Sequence, residues 1–324
     1  MKEIRISGNE AEQRLDRFLR KYLKEFSLGE IYKLFRKNKV KVNGKRVKEN
    51  QMLQEGDVVQ LYIAQETSTA QQPTAKKQKT VAAKPIDIVY EDERLLIINK
   101  PVGLLTHPDK PGDSDTAVDR ALSYLEGKGE LEQSVTFRPS VCNRLDRNTG
   151  GLIIIAKTYQ ALKAVNEMIR ERRIRKLYIC VVKGRLKGSG DLKGFLKKDK
   201  ADNVVSITGI KDSDTKEIHT HYKVLGSNAQ NSLLEVELIT GRSHQIRAHF
   251  ADIGHPLIGD VKYGDKEVNR YFKTRYKLTH QFLFAYKLEF ITCSKELEYL
   301  NGRVISCRLP VYMENIVESL FGME

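Results

Sequence analysis

A carboxylate between two arginines stands in the polar, glycine-ended stretch Asn143-Arg144-Leu145-Asp146-Arg147-Asn148-Thr149-Gly150-Gly151, which runs directly into the apolar segment Leu152 to Ala156. Loops held by rigid strands are where reacting groups tend to sit. An Asp in such a turn is ordinarily a cap or turn former. Arg144 and Arg147 on either side would nevertheless keep Asp146 ionised and draw in phosphate. Tyr178 opens the apolar run Tyr178 to Val182, directly behind Arg175 and Lys176. A strand Tyr is usually core, but an aromatic face beside a basic run is also what a splayed-out nucleotide base requires. The series Arg170, Arg172, Arg173, Arg175 and Lys176 is by default a solvated helix end; next to Tyr178 it reads as a phosphate track.

Other chemistries find little support. There is no G-x-x-x-x-G-K-[ST] phosphate loop and no G-x-S-x-G elbow, and the glycines at 184, 188, 190 and 194 miss the dinucleotide spacing. His219 and His221 could share a strand face, and His244 and His249 a helix, but no Cys or carboxylate cluster completes a metal shell. No metal is expected. Cys142, Cys180, Cys293 and Cys307 form no CxxC pair and read as reduced, mostly buried thiols. No apolar run approaches the roughly 18 residues that span a bilayer, and the opening MKEIRISGNEAEQRLDRF lacks the apolar core of a signal peptide. A cytoplasmic protein without membrane contact is the expectation.

The elements that must position these residues divide the chain. Lys plus Arg number 56 against 42 Asp plus Glu, a net charge of +14 that suits a polyanionic partner, nucleic acid first. Residues 1–63 carry 15 of these cations and 9 of the anions, net +6, with Lys33, Arg36, Lys37, Lys39, Lys41, Lys45, Arg46 and Lys48 close together. Asn9 with Glu12, and Ser27 with Glu30, have capping-box spacing; Leu15, Phe18, Leu19, Tyr22 and Leu23 follow the first, Ile31, Leu34 and Phe35 the second. Two helices are predicted. Val40 and Val42 alternate with lysines up to Asn43-Gly44, a two-residue turn signal, and Lys45-Arg46-Val47 returns as a hairpin. Val58 to Ile63 supplies a further strand. The basic helix and hairpin could track a phosphate backbone.

Residues 64–83, rich in Gln, Thr, Ala, Pro and Lys, read as a flexible linker too polar to dock, so the N-terminal unit is expected to act as a tethered second binding site. In 84–324, strands are predicted at Ile86 to Tyr90, Leu95 to Ile98, Leu152 to Ala156, Tyr178 to Val182 and around Leu234, Val236 and Leu238. Helices are predicted at Ala117 to Gly127, Tyr159 to Arg173 and Ser243 to Ile253. Strands and helices do not alternate regularly, so an α+β domain around a mixed, mainly antiparallel sheet is expected rather than a doubly wound fold.

Two resemblances bear on this plan. RLDRFLRKYL at 14–23 and IYKLFRKNKVKVNGKRV at 31–47 resemble the S4 RNA-binding domain. NRLDRNTGGLIIIAK at 143–157 resembles the signature loop of the RluA family of RNA pseudouridine synthases, as do VYEDERLLIINKPVGLLTHP at 89–108, RKLYICVVKG at 175–184, TGRSHQIRAHFADIGHPLIGDVKYG at 240–264 and THQFLFAYKLEF at 279–290. Asn143 stands where that family usually has His, and Gly150 where it usually has Ser.

The resemblance implies a pseudouridine synthase fold and isomerisation of uridine in RNA without cofactor, large-subunit ribosomal RNA being the nearest match. It implies that Asp146 acts at the sugar, as nucleophile or base, that Arg247 holds Asp146, that Tyr178 stacks on the base and handles a proton, and that Arg144 fills the space the flipped base leaves. Arg147, Thr149, Arg175, Lys176, Arg242, His244 and Gln245 join the N-terminal Lys33, Arg36, Lys37, Lys39, Lys41, Lys45 and Arg46 as expected RNA contacts of a monomer. The rival readings are a non-catalytic RNA-binding or ribosome-assembly factor on the same fold, and a transfer-RNA modifying relative.

Overall fold

The computed structural model describes residues 1–63, 84–110, 112–131, 134–198 and 205–322. The stretch read as a linker, 64–83, lies outside the described residues.

The N-terminal unit comprises β1 (Lys2–Arg5), α1 (Leu15–Tyr22), α2 (Leu28–Arg36), β2 (Val40–Val42), β3 (Lys45–Arg46) and β4 (Val58–Leu61), its antiparallel sheet ordered β1-β4-β2-β3. Ser27 and Glu30 form the reciprocal cap that starts α2. Asn43 and Gly44 both take the left-handed conformation that turns the hairpin. Leu15, Phe18, Leu19, Ile31, Phe35, Val40, Val42, Val59 and Leu61 bury one another in a core of their own. The Asn9–Glu12 capping box, however, does not form. Glu12 has φ 55°, outside the helical region, and α1 begins at Leu15 with Arg14 as an uncapped N-cap.

Those two residues bond across to the larger unit instead. The Asn9 side-chain carbonyl accepts from the Tyr159 N–H at 3.1 Å, and Glu12 pairs with Lys163 at 2.8 Å. Glu10 between them is fully buried, and one carboxylate oxygen accepts from the Ser134 hydroxyl, the Val135 N–H at 3.0 Å and the Thr136 N–H at 3.1 Å. Gln160 donates to the Gly8 carbonyl. The N-terminal unit is therefore docked, which corrects the tether expected from composition. The joint is made by residues 8–12, whose polarity serves a partner surface.

The larger unit contains β5 (Asp87–Glu91), β6 (Leu95–Lys100), α3 (Ala117–Gly127), β7 (Ser140–Val141), β8 (Gly150–Ala156), α4 (Tyr159–Arg170), β9 (Ile174–Lys183), β10 (Ser189–Lys198), β11 (Val205–Thr208), β12 (Thr215–Ser227), β13 (Asn231–Leu238), α5 (Gln245–Asp252), α6 (Lys266–Tyr276), β14 (Leu283–Phe290), β15 (Val304–Ser306) and α7 (Val311–Phe321). Its strands form one sheet, β11-β10-β12-β13-β9-β14-β8-β6-β5, with β15 on β14 and β7 on β8. Among the described residues β14 and β8 are the parallel pair and the other pairings are antiparallel, as an α+β fold of mixed sheet requires. No helix among the described residues is long and apolar enough to cross a membrane.

The central strands are apolar on both faces because both are covered. Along β8, Ile153 and Ile155 enter a cluster with α3 and α5, while Leu152 and Ile154 enter another with α4. The period-two geometry of a strand sorts them. In β9, Tyr178, Cys180 and Val182 face the α3 and α5 side, and Ile179 and Val181 face α6 and α7. The α3 and α5 side is where the predicted site residues converge. Tyr178 stands fifth in β9, not at its start, so Arg175 and Lys176 are strand residues too.

Candidate active site

Asp146 lies in the connection between β7 and β8, and its neighbours fix that connection from several sides. Leu145 is buried in the same cluster as Tyr178 and Ile246. The Thr106 hydroxyl donates to the Leu145 carbonyl at 2.8 Å and accepts from the Leu145 N–H at 3.2 Å. Asn143 donates to the Leu152 carbonyl and accepts from the Ile154 N–H, so the Asn found in place of the family's usual His pins the loop to the strand it precedes. Thr149 N–H closes a turn onto the Asp146 carbonyl at 3.0 Å.

At the far end of the loop, space is short. A Cβ on Gly150 would stand 2.9 Å from the Phe284 ring, which accounts for the missing Ser. Gly151 has φ 112°, and a Cβ there would lie 2.1 Å from the Ala285 carbonyl oxygen, so only glycine lets β8 approach β14 this closely. Beneath the loop the fully buried Lys100 ammonium donates to the carbonyls of Pro101, Leu104 and Arg147 at 3.0, 2.7 and 3.1 Å. Burial draws its pKa down to about 7, against the pull of the Asp146 charge. Lys100 was not among the residues singled out from sequence, since a lysine ending an apolar strand usually marks solvent.

The cation that reaches Asp146 comes from 101 residues along the chain, and it is neither Arg144 nor Arg147. Arg247 lies on the first turn of α5, its side chain only 6% exposed. One guanidinium nitrogen donates to Asp146 Oδ2 at 2.9 Å; the other two bind Asp260 at 2.7 and 2.9 Å. Asp260 is fully buried and also accepts from the Lys262 and Tyr263 N–H groups. Burial would raise its pKa, yet Arg247 and those N–H groups hold it below the ordinary carboxylate value. Burial likewise disfavours the Arg247 charge, and the two carboxylates outweigh it. This two-point clamp leaves Arg247 a single orientation. Asp260 went unrecognised in the sequence, although its Gly-Asp turn lies inside a matched block.

His244 occupies the N-cap of α5 with φ 57°, and its Nε2 stands 3.8 Å from the same Asp146 oxygen. Its Nδ1 lies 2.9 Å from the Tyr263 hydroxyl. Tyr178 is 4% exposed, and burial, then the Asp146 charge, raises its pKa, so the hydroxyl stays protonated. Its ring is packed in the core and does not offer the open face expected of a stacking platform.

The expected RNA contacts separate into two groups. Arg144, Arg147 and Arg242 are exposed around the site, and Lys33, Arg36, Lys37, Lys39, Lys45 and Arg46 are exposed on the N-terminal unit, with Lys41 half-buried over the Tyr62 ring. Four others are corrected. Lys176 is buried, and Arg175 is held by Glu237 and Glu289 at 2.7 and 2.8 Å. Thr149 is buried and accepts from Gln281, while Gln245 is consumed by Thr240, His219, Thr220 and the Arg242 N–H. The supposed phosphate track at 170–176 is thus largely neutralised by its own carboxylates, Arg170 and Arg173 pairing with Glu171. His219 and His221 both lean on Asp191, and no metal-holding cluster occurs among the described residues. All four cysteines are free.

Comparison with known proteins places this sheet and its N-terminal unit in known families. Residues 94–252 match the RNA pseudouridylate synthase family model, and residues 13–59 match the S4 domain. The chain belongs to the RNA pseudouridylate synthase family. It is 32% identical to ribosomal large subunit pseudouridine synthase C of Vibrio vulnificus (strain CMCP6), over 98% of this chain and 96% of that one. It is 32% identical to the protein of that name from Escherichia coli (strain K12), over 90% and 88%. In fold it is similar to human RNA pseudouridylate synthase domain containing 4, with a TM-score of 0.55 at 21% identity, covering 72% of this chain and 92% of that one. Human RNA pseudouridylate synthase domain containing 1 gives a TM-score of 0.51 at 20% identity, covering 73% and 95%. The chain is accordingly an RNA pseudouridine synthase with an N-terminal S4 domain.

Proposed function

We propose that this enzyme isomerises uridines of large-subunit ribosomal RNA, with Asp146 as the group that acts on the sugar. The observation that carries this reading is the clamp on Asp146: Arg247 holds Oδ2, while among the described residues no donor bonds Oδ1, which is available to the substrate. Support for the RNA class comes from the relatives' names, which specify the large ribosomal subunit. The reaction breaks the bond from C1′ to N1 and makes one from C1′ to C5, with the C5 proton lost and a proton gained at N1. Oxidation state is unchanged, so no redox cofactor and no external energy source is called for. Asp146 adds at C1′ or removes the 2′ hydrogen; either route uses its free oxygen. Tyr178, kept protonated, serves the detached base through its hydroxyl, and Arg144 and Arg147 line the approach. In this division of labour 1–63 holds RNA and 84–324 carries the chemistry, in a cytoplasmic monomer.

The non-catalytic rival is disfavoured because Asp146, Arg247 and Tyr178 are assembled around one point. The test is tritium release from C5-labelled ribosomal RNA by Asp146→Asn. Turnover is expected to fall by at least about a hundredfold while RNA affinity changes by less than about tenfold, roughly 1.4 kcal/mol. Residual turnover above a hundredth of wild type would remove Asp146 from this role. Pseudouridine mapping in ribosomal RNA from cells with and without the gene names the nucleotide.

A further inference from the structure

His244 faces Asp146 across a short gap. The Val205 N–H donates to the Tyr263 hydroxyl oxygen at 2.9 Å, and among the described residues the acceptor beside that hydroxyl is His244 Nδ1, also at 2.9 Å. Where the phenol proton is given to Nδ1, a neutral imidazole carries its own proton on Nε2. Burial holds His244 below its ordinary pKa, opposed by Asp146 and Asp260 and reinforced by Arg247 and Lys262, so it is neutral at physiological pH. Nε2 stands 3.8 Å from Asp146 Oδ2, too long for a direct hydrogen bond. The left-handed backbone at His244 is an uncommon conformation for a residue with a Cβ, and the ring is held against Tyr263 edge to face.

A gap of this width between a donor and an acceptor fits one hydroxyl oxygen. With two bonds of about 2.8 Å, such an oxygen would sit at the apex of an angle of about 85°, accepting from Nε2–H and donating to Oδ2. We infer that His244 is the residue that recognises the ribose 2′-hydroxyl of the target uridine, holding it between Nε2–H and Asp146 Oδ2. The inference rests on Asp146 acting at the sugar. It leaves Oδ1 to react at the adjacent carbon, and sugar chemistry at an anomeric centre commonly draws on a hydrogen bond to the neighbouring hydroxyl that tightens in the transition state. Because the 2′-hydroxyl distinguishes RNA from DNA, His244 would make the chemical step itself selective for RNA.

The experiment is a cycle of enzyme and substrate changes under single-turnover conditions. A synthetic stem-loop containing the mapped uridine is made with ribose or 2′-deoxyribose at that nucleotide alone. Tritium release is measured for wild type, His244→Ala, His244→Gln and Tyr263→Phe. Wild type is expected to lose at least about tenfold on the deoxy substrate. His244→Ala should lose a comparable factor on the ribose substrate and less than about threefold more on the deoxy one, because both changes remove the same hydrogen bond. His244→Gln, which keeps a donor, should recover part of the ribose rate, and Tyr263→Phe should blunt the preference for ribose without unfolding the chain. Losses that multiply in the His244→Ala cycle, or a His244→Ala enzyme as fast as wild type on ribose, would overturn the inference alone. A wild-type enzyme that releases no tritium from the ribose substrate would overturn the synthase reading along with it.

Discussion

The two units of the molecule use positive charge in opposite ways. Around Asp146 the important cation is buried and shared: Arg247 divides its guanidinium between Asp146 and Asp260. On the N-terminal unit Lys33, Arg36, Lys37, Lys39, Lys45 and Arg46 are exposed, and among the described residues they form no ion pair. A paired, desolvated arginine fixes geometry and has little charge left for a ligand. Unpaired surface cations fix nothing and release counterions when a phosphate backbone arrives. Charge counted along a sequence does not tell these apart, as the 170–176 series illustrates, where Glu171 takes up Arg170 and Arg173, and Glu237 and Glu289 on neighbouring strands take up Arg175.

The largest effect should come from breaking the buried side of this comparison. Asp260→Asn leaves Arg247 with one charged partner, and a buried ion with its pair removed typically costs about 3 to 5 kcal/mol. A lower urea midpoint and a single-turnover rate reduced by at least about tenfold are expected. Unchanged values of both would mean that Asp146 is oriented without the shared arginine. On the exposed side, replacing Lys39, Lys41, Lys45 and Arg46 together by Ala should weaken binding to large RNA and flatten the slope of log affinity against log salt by about 3, with turnover on saturating RNA kept within about threefold. A salt slope that does not move would take these four off the RNA. The smallest effect belongs to the joint between the two regions. Glu10→Gln should speed amide exchange at Val135 and Thr136, whose N–H groups Glu10 accepts, by about tenfold while leaving turnover on saturating RNA unchanged.

That joint also carries a pH signature. Burial would raise the Glu10 pKa, but the Ser134, Ser7, Thr136 and Val135 donors bring it below the ordinary value. The docking it supports is therefore complete above the usual Glu range and is lost as pH falls through its depressed folded value. Exchange at 135 and 136 in wild type should approach that of Glu10→Gln only in acid.

Local signals in the chain were reliable where a feature depends on adjacent residues. The Ser27–Glu30 cap, the Asn43-Gly44 hairpin, helix α3 from Ala117 to Gly127 and the apolar strands β6 and β8 follow from periods and caps that the backbone cannot ignore. β1 and β10 escaped because one has only Ile4 to show for a buried face and the other scatters Leu192, Phe195 and Leu196 among Lys, Gly, Asp and Ser with most positions open. In the candidate site, the family resemblance brought Asp146, Tyr178 and Arg247 to one place. It did not reveal that Thr149, Gln245 and Lys176 face inward, since their burial is decided by elements far away in sequence. Asn9 and Glu12 make the same point: the capping spacing is present, but another helix offers those side chains partners.

The placement of β14 sets the order in which the strands around the site can be joined. That strand lies between β8 and β9, and its residues 283–290 are translated after both. Until they emerge, the strand that carries Tyr178 and the strand that follows the Asp146 loop have no shared neighbour, and Gly151 has no Ala285 to press against. A chain growing at about 5 to 20 residues per second needs several seconds to pass from β9 to β14. A nascent polypeptide thus gains the strand that joins the Asp146 loop to Tyr178 only after β9 to β13 have all been made.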